Sequence, residues 1–279
     1  MEIYAKKVLN ETLIEDIGYG DITTDILIPE KHESVGKIIF KEDGVLCGIH
    51  FVNLFLNDIG LRTNIYCNEG DPINKGTTIM EIYGNTKKIL SVERTILNFL
   101  MHLSGISTKT YNIIQKVKKI NKKVRISCTR KTLPVLAPLE KYAVYVANGD
   151  THRFRLDDLV MIKDNHIAAV GLENIFKKID RISFTKKIEV EVDNLNQLKE
   201  VIKYNPDIIL LDNFKPEDVE VGVEFIRNWN KNILIEVSGG INESNVLDYA
   251  RYNVDIISMG CLIHSARSLD ISLDLQPMD

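Results

Sequence analysis

Residues 187–213 read KIEVEVDNLNQLKEVIKYNPDIILLDN, and their pattern decides the fold class. A β-rich run ends in Asp193, a stretch of helical period follows, and a second apolar run ends at Asp212-Asn213. This is a strand, helix, strand unit, whose two strands must lie parallel because a helix joins them. The same grammar extends in both directions. Upstream stand VRISCTR (124–130) and DDLVMIK (157–163), and downstream stand ILIEVSGG (233–240) and DIISMG (255–260). Several of these runs have nearly continuous apolar centres, as strands buried on both faces require. NLNQLKEVIKYNP and NESNVLDYARYNV have the 3.6 period of covering helices. The spacing predicts an α/β barrel of six or seven parallel strands, short of the usual eight.

The first third follows a different pattern. Ile3, Val8, Leu9, Leu13 and Ile17 fall along one helical face, and Gly18 to Asp21 ends it. From Val35 to Ile82 the runs VGKIIF, GVLCGI, TNIYC and TTIMEIYG alternate apolar with polar residues, predicting an antiparallel sheet. Leu90, Ile96, Leu97, Leu100, Leu103 and Ile106 then mark one or two long helices leading into the barrel. No low-complexity linker intervenes. The division expected is 1–110 for the first domain and 111–267 for the barrel, with 268–279 returning to the first.

Composition limits function. The 279 residues are 44% hydrophobic and 27% charged, with a formal net charge of -4. Without a long basic run, a sequence-independent grip on nucleic acid is not expected. The polar, amphipathic start carries neither a signal peptide nor a membrane span, so a cytoplasmic address is expected. Cys47, Cys67, Cys128 and Cys261 have no Cys-x-x-Cys spacing and read as reduced, mostly buried thiols. No zinc spacing occurs, so any metal must take oxygen ligands.

In parallel α/β folds ligands gather at the carboxyl ends of the strands. Those ends carry Thr129-Arg130-Lys131, Lys163, Glu191, Asp212, Ser238-Gly239-Gly240 and Gly260, with His152-Arg153 just before the second β-rich run. A single Asp at a strand end is commonly a cap or a surface ion-pair partner. The series reads differently: on one barrel, Arg130, Lys131, His152, Arg153 and Lys163 converge and repel one another unless anions neutralise them. A strongly anionic substrate follows. Arginine suits planar carboxylate or phosphate groups and lysine acts as a point charge, so the mixture points to both anion types. Glu191 and Asp212 either pair with those cations or hold Mg²⁺, directly or through water. Ser238-Gly239-Gly240 can offer backbone N–H groups to a phosphate.

EDIGYGDITTDILIP (15–29), SVERTILNFLMHLSGI (91–106), TRKT (129–132), EKYAV (140–144), HRFRLDDLVMIKDNHI (152–167), EVEVDN (189–194), IILLDNF (208–214), VSGGI (237–241) and ISMGCLIHSARSLDISLDL (257–275) together resemble quinolinate phosphoribosyltransferase, in order and over almost the whole chain. The resemblance implies a type II phosphoribosyltransferase: an N-terminal α/β sandwich domain, an incomplete barrel of about seven strands, and a homodimer. It implies an enzyme of NAD biosynthesis that joins quinolinate to phosphoribosyl diphosphate with Mg²⁺, releasing CO₂ and diphosphate.

Carried across residue by residue, Arg94 reaches the neighbouring subunit's site. Arg130, His152 and Arg153 join it around the quinolinate carboxylates, while Thr129 belongs to the matched TRKT stretch. Lys131 and Lys163 lie between the two substrates, with Glu191 and Asp212 at the ribose hydroxyls and Mg²⁺. Ser238, Gly239, Gly240 and Gly260 hold the 5′-phosphate, with His264 near it. From residues alone, Arg94 reads as a solvated helix position and His264 equally as a structural histidine.

The pattern departs in three places. Pro134-Val135-Leu136-Ala137 replaces Pro-Gly-Leu-Arg, Ala147-Asn148-Gly149-Asp150 replaces a Gly-Gly-Gly run, and Cys128 stands where an Asp often precedes TRK. Asp150 adds a negative charge beside the expected dianion site. Other readings stay open here: a ModD-like homologue of uncertain substrate, a catalytically silent binding protein on the same fold, and nicotinate as the base.

Overall fold

The computed structural model describes residues 1–179 and 181–278. Asp180 and Asp279, inside the expected barrel and first-domain ranges, lie outside the described residues. In chain order the elements that matter are α1 (Glu2–Ile17), α2 (Ile22–Leu27), β1 (Glu33–Phe40), β2 (Gly44–Val45), α3 (Ile49–Asp58), β3 (Arg62–Ile65), β4 (Pro72–Ile73), β5 (Thr78–Asn85) and α4 (Thr86–Lys118). They continue with β6 (Arg125–Ser127), α5 (Ala137–Val146), β7 (Val160–Ile162), α6 (Asp164–Val170), α7 (Leu172–Ile179), β8 (Ile188–Val192) and α8 (Leu195–Val201). The last are β9 (Ile208–Asp212), α9 (Pro216–Trp229), β10 (Leu234–Ser238), α10 (Val246–Ala250), β11 (Ile256–Ser258), α11 (Cys261–His264) and β12 (Ile271–Pro277).

The chain divides into two compact units. One comprises Met1–Tyr111, Pro138–Asn148 and Ala266–Asp279, the other Asn112–Ala137 and Gly149–Ser265. The expected division at residue 110 therefore differs at 138–148. Most of α5 packs in the first unit, where its buried Ala143 offers the carbonyl that Ser107 Oγ donates to at 2.7 Å.

In the first unit a four-stranded antiparallel sheet runs β12-β1-β5-β3. Strand β1 buries Ser34, Gly36, Ile38 and Phe40 and turns the alternate residues outward, the period of two expected of a one-sided sheet. Its partner β12 comes from the far end of the chain, pairing Ser34 with Pro277 through Phe40 with Ile271. The sheet expected across Val35 to Ile82 is interrupted by α3, a correction with a plain cause. Ile49, Val52, Phe55 and Leu56 recur at helical spacing and are all buried. The helix start is held by Glu69, whose carboxylate accepts the N–H groups of Gly48 and His50. Gly105 lies inside α4 because a Cβ there would sit 2.1 Å from the Arg267 carbonyl oxygen.

The second unit is the α/β barrel, with six parallel strands in the order β6-β11-β10-β9-β8-β7. Asp150 adds a one-residue parallel bridge to Ser127 on the outer side of β6, the trace of a seventh strand. Strand β9 is buried through Ile208, Ile209, Leu210 and Leu211. Asn194 starts α8, accepting the N–H groups of Asn196 and Gln197. Among the described residues no helix is long and apolar enough to cross a membrane. Cys47 and Cys128 are buried, while Cys67 and Cys261 are half-buried.

Candidate active site

All six strands of the barrel point their carboxyl ends the same way, so the residues that follow them gather at one mouth. A cavity of about 360 Å³ opens there, lined by Thr129, Arg130, Lys131, His152, Arg153, Met161, Lys163, Glu191, Leu210, Asp212, Glu236, Ser238 and Ser258. Register explains the convergence. Glu191 pairs with Leu210 across β8 and β9, and Asp212 with Ser238 across β9 and β10. The inward positions of neighbouring strands therefore stack in layers, with polar residues in the outermost.

The charges in the cavity are unequal. Lys163 Nζ hydrogen-bonds to Glu191. Arg130, Lys131 and Arg153 make no ion pair among the described residues. Burial, and then the nearby Arg130 guanidinium, loosen Arg153's hold on its proton. Two guanidiniums facing one cavity repel each other, and an anion between them relieves it. On the acidic side, burial raises the Asp212 carboxyl, and the Glu191 charge raises it further. Asn213 Nδ2 donates to Asp212 at 2.7 Å.

Backbone shape sets the remaining positions. The Lys163 N–H donates to His166 Nδ1 at 3.0 Å, fixing the residue between β7 and α6 from which the lysine side chain reaches the cavity. Gly239 has φ 96, and a Cβ there would fall 2.5 Å from the Asn213 nitrogen, so only glycine fits this turn. Gly239, Gly240, Gly260 and His264 are not among the lining residues. His264 Nδ1 shares a hydrogen bond with Ser265 Oγ at 2.7 Å. Its Nε2 stands 3.0 Å from where a Cβ of residue 260 would be, and Lys131 Cδ is 3.1 Å from the same point. Arg94 lies on α4 in the first unit, mostly exposed, 3.8 Å from Glu93.

Asp150 does not line the cavity. Its Oδ1 accepts the His152 N–H at 2.8 Å and its Oδ2 stands 3.5 Å from Arg125. The charge added by this departure from the family pattern is thus already partnered. Cys128 is buried, its Sγ 3.3 Å from the Thr151 carbonyl oxygen.

Sequence reasoning passed over Glu236, Ser258, Met161 and Leu210, which also line the cavity, and the buried Glu189. A signal for them existed. Residues two before a strand-end site residue share its face, so Met161 precedes Lys163, Glu189 precedes Glu191, Leu210 precedes Asp212 and Glu236 precedes Ser238.

An open α/β barrel that gathers unpaired cations and carboxylates at its strand ends is the construction of an enzyme acting on small polyanions. Residues 21–104 match the model of the quinolinate phosphoribosyl transferase N-terminal domain, and residues 106–274 match that of its C-terminal domain. The chain belongs to the quinolinate phosphoribosyl transferase family. It is 52% identical over 277 residues to a probable nicotinate-nucleotide pyrophosphorylase (carboxylating) of Methanocaldococcus jannaschii, covering 98% of this chain and 97% of the relative. It is 37% identical to the nicotinate-nucleotide pyrophosphorylase (carboxylating) of Mycobacterium leprae, over 97% of both chains. Among solved structures, the nicotinate-nucleotide pyrophosphorylase of Francisella tularensis superposes with a TM-score of 0.90 at 33% identity, covering 99% of this chain and 97% of that one.

Proposed function

We propose that this chain transfers the phosphoribosyl group of phosphoribosyl diphosphate to quinolinate and releases CO₂, giving nicotinate mononucleotide for NAD synthesis. One observation carries the reading: Arg130, Lys131 and Arg153, from two stretches of the chain, share a cavity, make no ion pair among the described residues and face Glu191 and Asp212. That set of unpaired cations suits a dicarboxylate together with a diphosphate. It exceeds what a monocarboxylate such as nicotinate needs, and a silent binding protein has no use for the paired acids.

In this reading Arg130 and Arg153 grip the quinolinate carboxylates and orient the ring nitrogen toward C1 of the ribose. Lys131 and Lys163 lie between the substrates and stabilise the leaving diphosphate. As the C1–O bond breaks and the N–C1 bond forms, the carbon gains positive character, which Glu191 and Asp212 stabilise. Loss of the 2-carboxylate as CO₂ then leaves its electron pair on C2, where the adjacent positive ring nitrogen stabilises it until C2 takes up a proton from water. Thr129 and Ser238 line the site, and Ser238, Gly239, Gly240 and Gly260 cradle the 5′-phosphate with His264 beside them.

Magnesium fits the donors. Two carboxylates at adjacent strand ends, where burial and the Glu191 charge raise the Asp212 carboxyl, suit a hard divalent cation with oxygen ligands, so Glu191 and Asp212 are assigned to it. When bound, it neutralises the charge of the diphosphate. We further assign a homodimer in which Arg94 serves the neighbouring site, supported by its exposure on α4. A cytoplasmic location suits this metabolic role.

The test offers purified protein phosphoribosyl diphosphate and Mg²⁺ with quinolinate or nicotinate, and measures CO₂ and mononucleotide. Mononucleotide with matching CO₂ from quinolinate alone is expected. Product from nicotinate, or none from either, rejects the assignment.

A further inference from the structure

Below the acids of the mouth lies a cluster that the reaction, as read above, leaves unused. Glu189 and Glu236 sit two positions before Glu191 and Ser238 and are fully or almost fully buried. His152 lies between them, its Nε2 3.4 Å from Glu189 Oε2 and 3.3 Å from Glu236 Oε2. Ser258 Oγ donates to Glu236 Oε1 at 2.5 Å. Both oxygens of Glu189 and Oε2 of Glu236 have no hydrogen-bond partner among the described residues, so the imidazole is what compensates them. Two buried acids side by side destabilise a fold unless they secure something else.

What they secure is visible on the other edge of the ring. The Arg153 N–H donates to His152 Nδ1 at 2.7 Å. Burial disfavours charge on the imidazole, while the two acids favour it enough to raise its proton affinity. The Arg153 amide pulls the other way, since a proton on Nδ1 would displace it. A ring protonated on Nε2 alone keeps the Arg153 N–H on Nδ1 and turns its own N–H toward the two acids. His152 itself has φ 50, a left-handed backbone held by the Asp150 carboxylate at its N–H. Both ring nitrogens are thereby committed within the protein, and the ring ties the backbone of residue 153 to the buried acids.

We infer that Glu189 and Glu236 are positioning residues: through the His152 ring they set the backbone from which Arg153 grips the substrate carboxylate. This rests on the quinolinate reading of the cavity and deepens it, by giving His152 a task other than contact with substrate.

The test uses Glu236→Gln and Glu189→Gln chains, which keep side-chain volume and remove a buried charge. Each should raise the KM and the calorimetric Kd for quinolinate about tenfold, which is about 1.4 kcal/mol. The KM for phosphoribosyl diphosphate should stay within twofold and the Tm should not fall. In chains already carrying Arg153→Ala, adding Glu236→Gln should leave the quinolinate Kd within twofold, because the intermediary is gone. The inference is overturned by unchanged quinolinate affinity in Glu236→Gln, by parallel rises in both KM values, or by an undiminished effect in the Arg153→Ala background. A divalent metal that co-purifies one per chain with the parent and is lost from Glu236→Gln would also overturn it, since the three side chains lie close enough to ligate one. A parent chain that neither binds nor turns over quinolinate sinks the functional reading and this inference with it. An active parent with unaffected variants sinks only the inference.

Discussion

Val135 adopts φ 68, left-handed backbone that a β-branched residue rarely enters, at the position where the family pattern has glycine. The chain has kept the turn and lost the residue that makes it easy. Replacing Val135 by Gly should raise stability by about 1 kcal/mol, strain relief exceeding the added freedom of the unfolded chain, as thermal unfolding would show. Asn148, at φ 64 where the Gly-Gly-Gly run is usual, shows the milder case, since asparagine tolerates this region. In the cavity, Lys131 and Arg153 face open space lined by polar groups. Lys131→Ala and Arg153→Ala should therefore each cost at least about a hundredfold in kcat/KM while thermal unfolding stays close to that of the parent chain. A lost Tm in place of lost turnover would move both residues from the reaction to the fold.

Elements were legible in proportion to how local their cause is. The βα units could be read because each strand is buried on both faces and each covering helix repeats at 3.6. Helix α3 was missed because its apolar residues sit among runs that alternate like strands, and burial chose the period. The β12 strand joins β1 across most of the chain, and its approach is fixed by Arg267, which grips Glu42 with both guanidinium nitrogens, one at 2.9 Å. Those bonds from Arg267, against a smaller cost of burial and with help from the Asp270 N–H, hold the Glu42 carboxyl below its ordinary 4.5. A depressed acid stabilises the fold above its unfolded value and ceases to as pH falls through its folded value. Glu42→Gln should accordingly flatten the fall of Tm between about pH 5 and pH 3 while lowering Tm at neutral pH. An unchanged acid limb would show that the contact has no thermodynamic weight.

At the scale of the whole molecule, Arg94 and the cavity of its own chain answer to different subunits in the proposed dimer. Tyr19, Ile22, Ile26 and Leu27 expose a cluster of large apolar side chains on the first unit, a surface suited to self-association. If each site needs Arg94 from one chain and Lys131 from the other, a dimer of an Arg94→Ala chain with a Lys131→Ala chain has one intact site and one doubly damaged. Mixing the two inactive proteins in equal amounts, with subunit exchange, should restore about a quarter of parental activity. No recovery, with exchange demonstrated, would refute the shared site.

What the sequence determined by itself is whatever nearest neighbours along the chain dictate. The strand and helix periods and the polar residue ending each strand were of this kind, and from them came the mouth with Arg130, Lys131, Lys163, Glu191 and Asp212 at its rim. Only the tertiary structure decided which strands stand side by side. That pairing places Glu189 and Glu236 on either side of His152, brings β12 to β1 and partners Asp150 away from the cavity. A buried acid costs or contributes according to what faces it across several ångströms, and that neighbour lies tens of residues away along the chain.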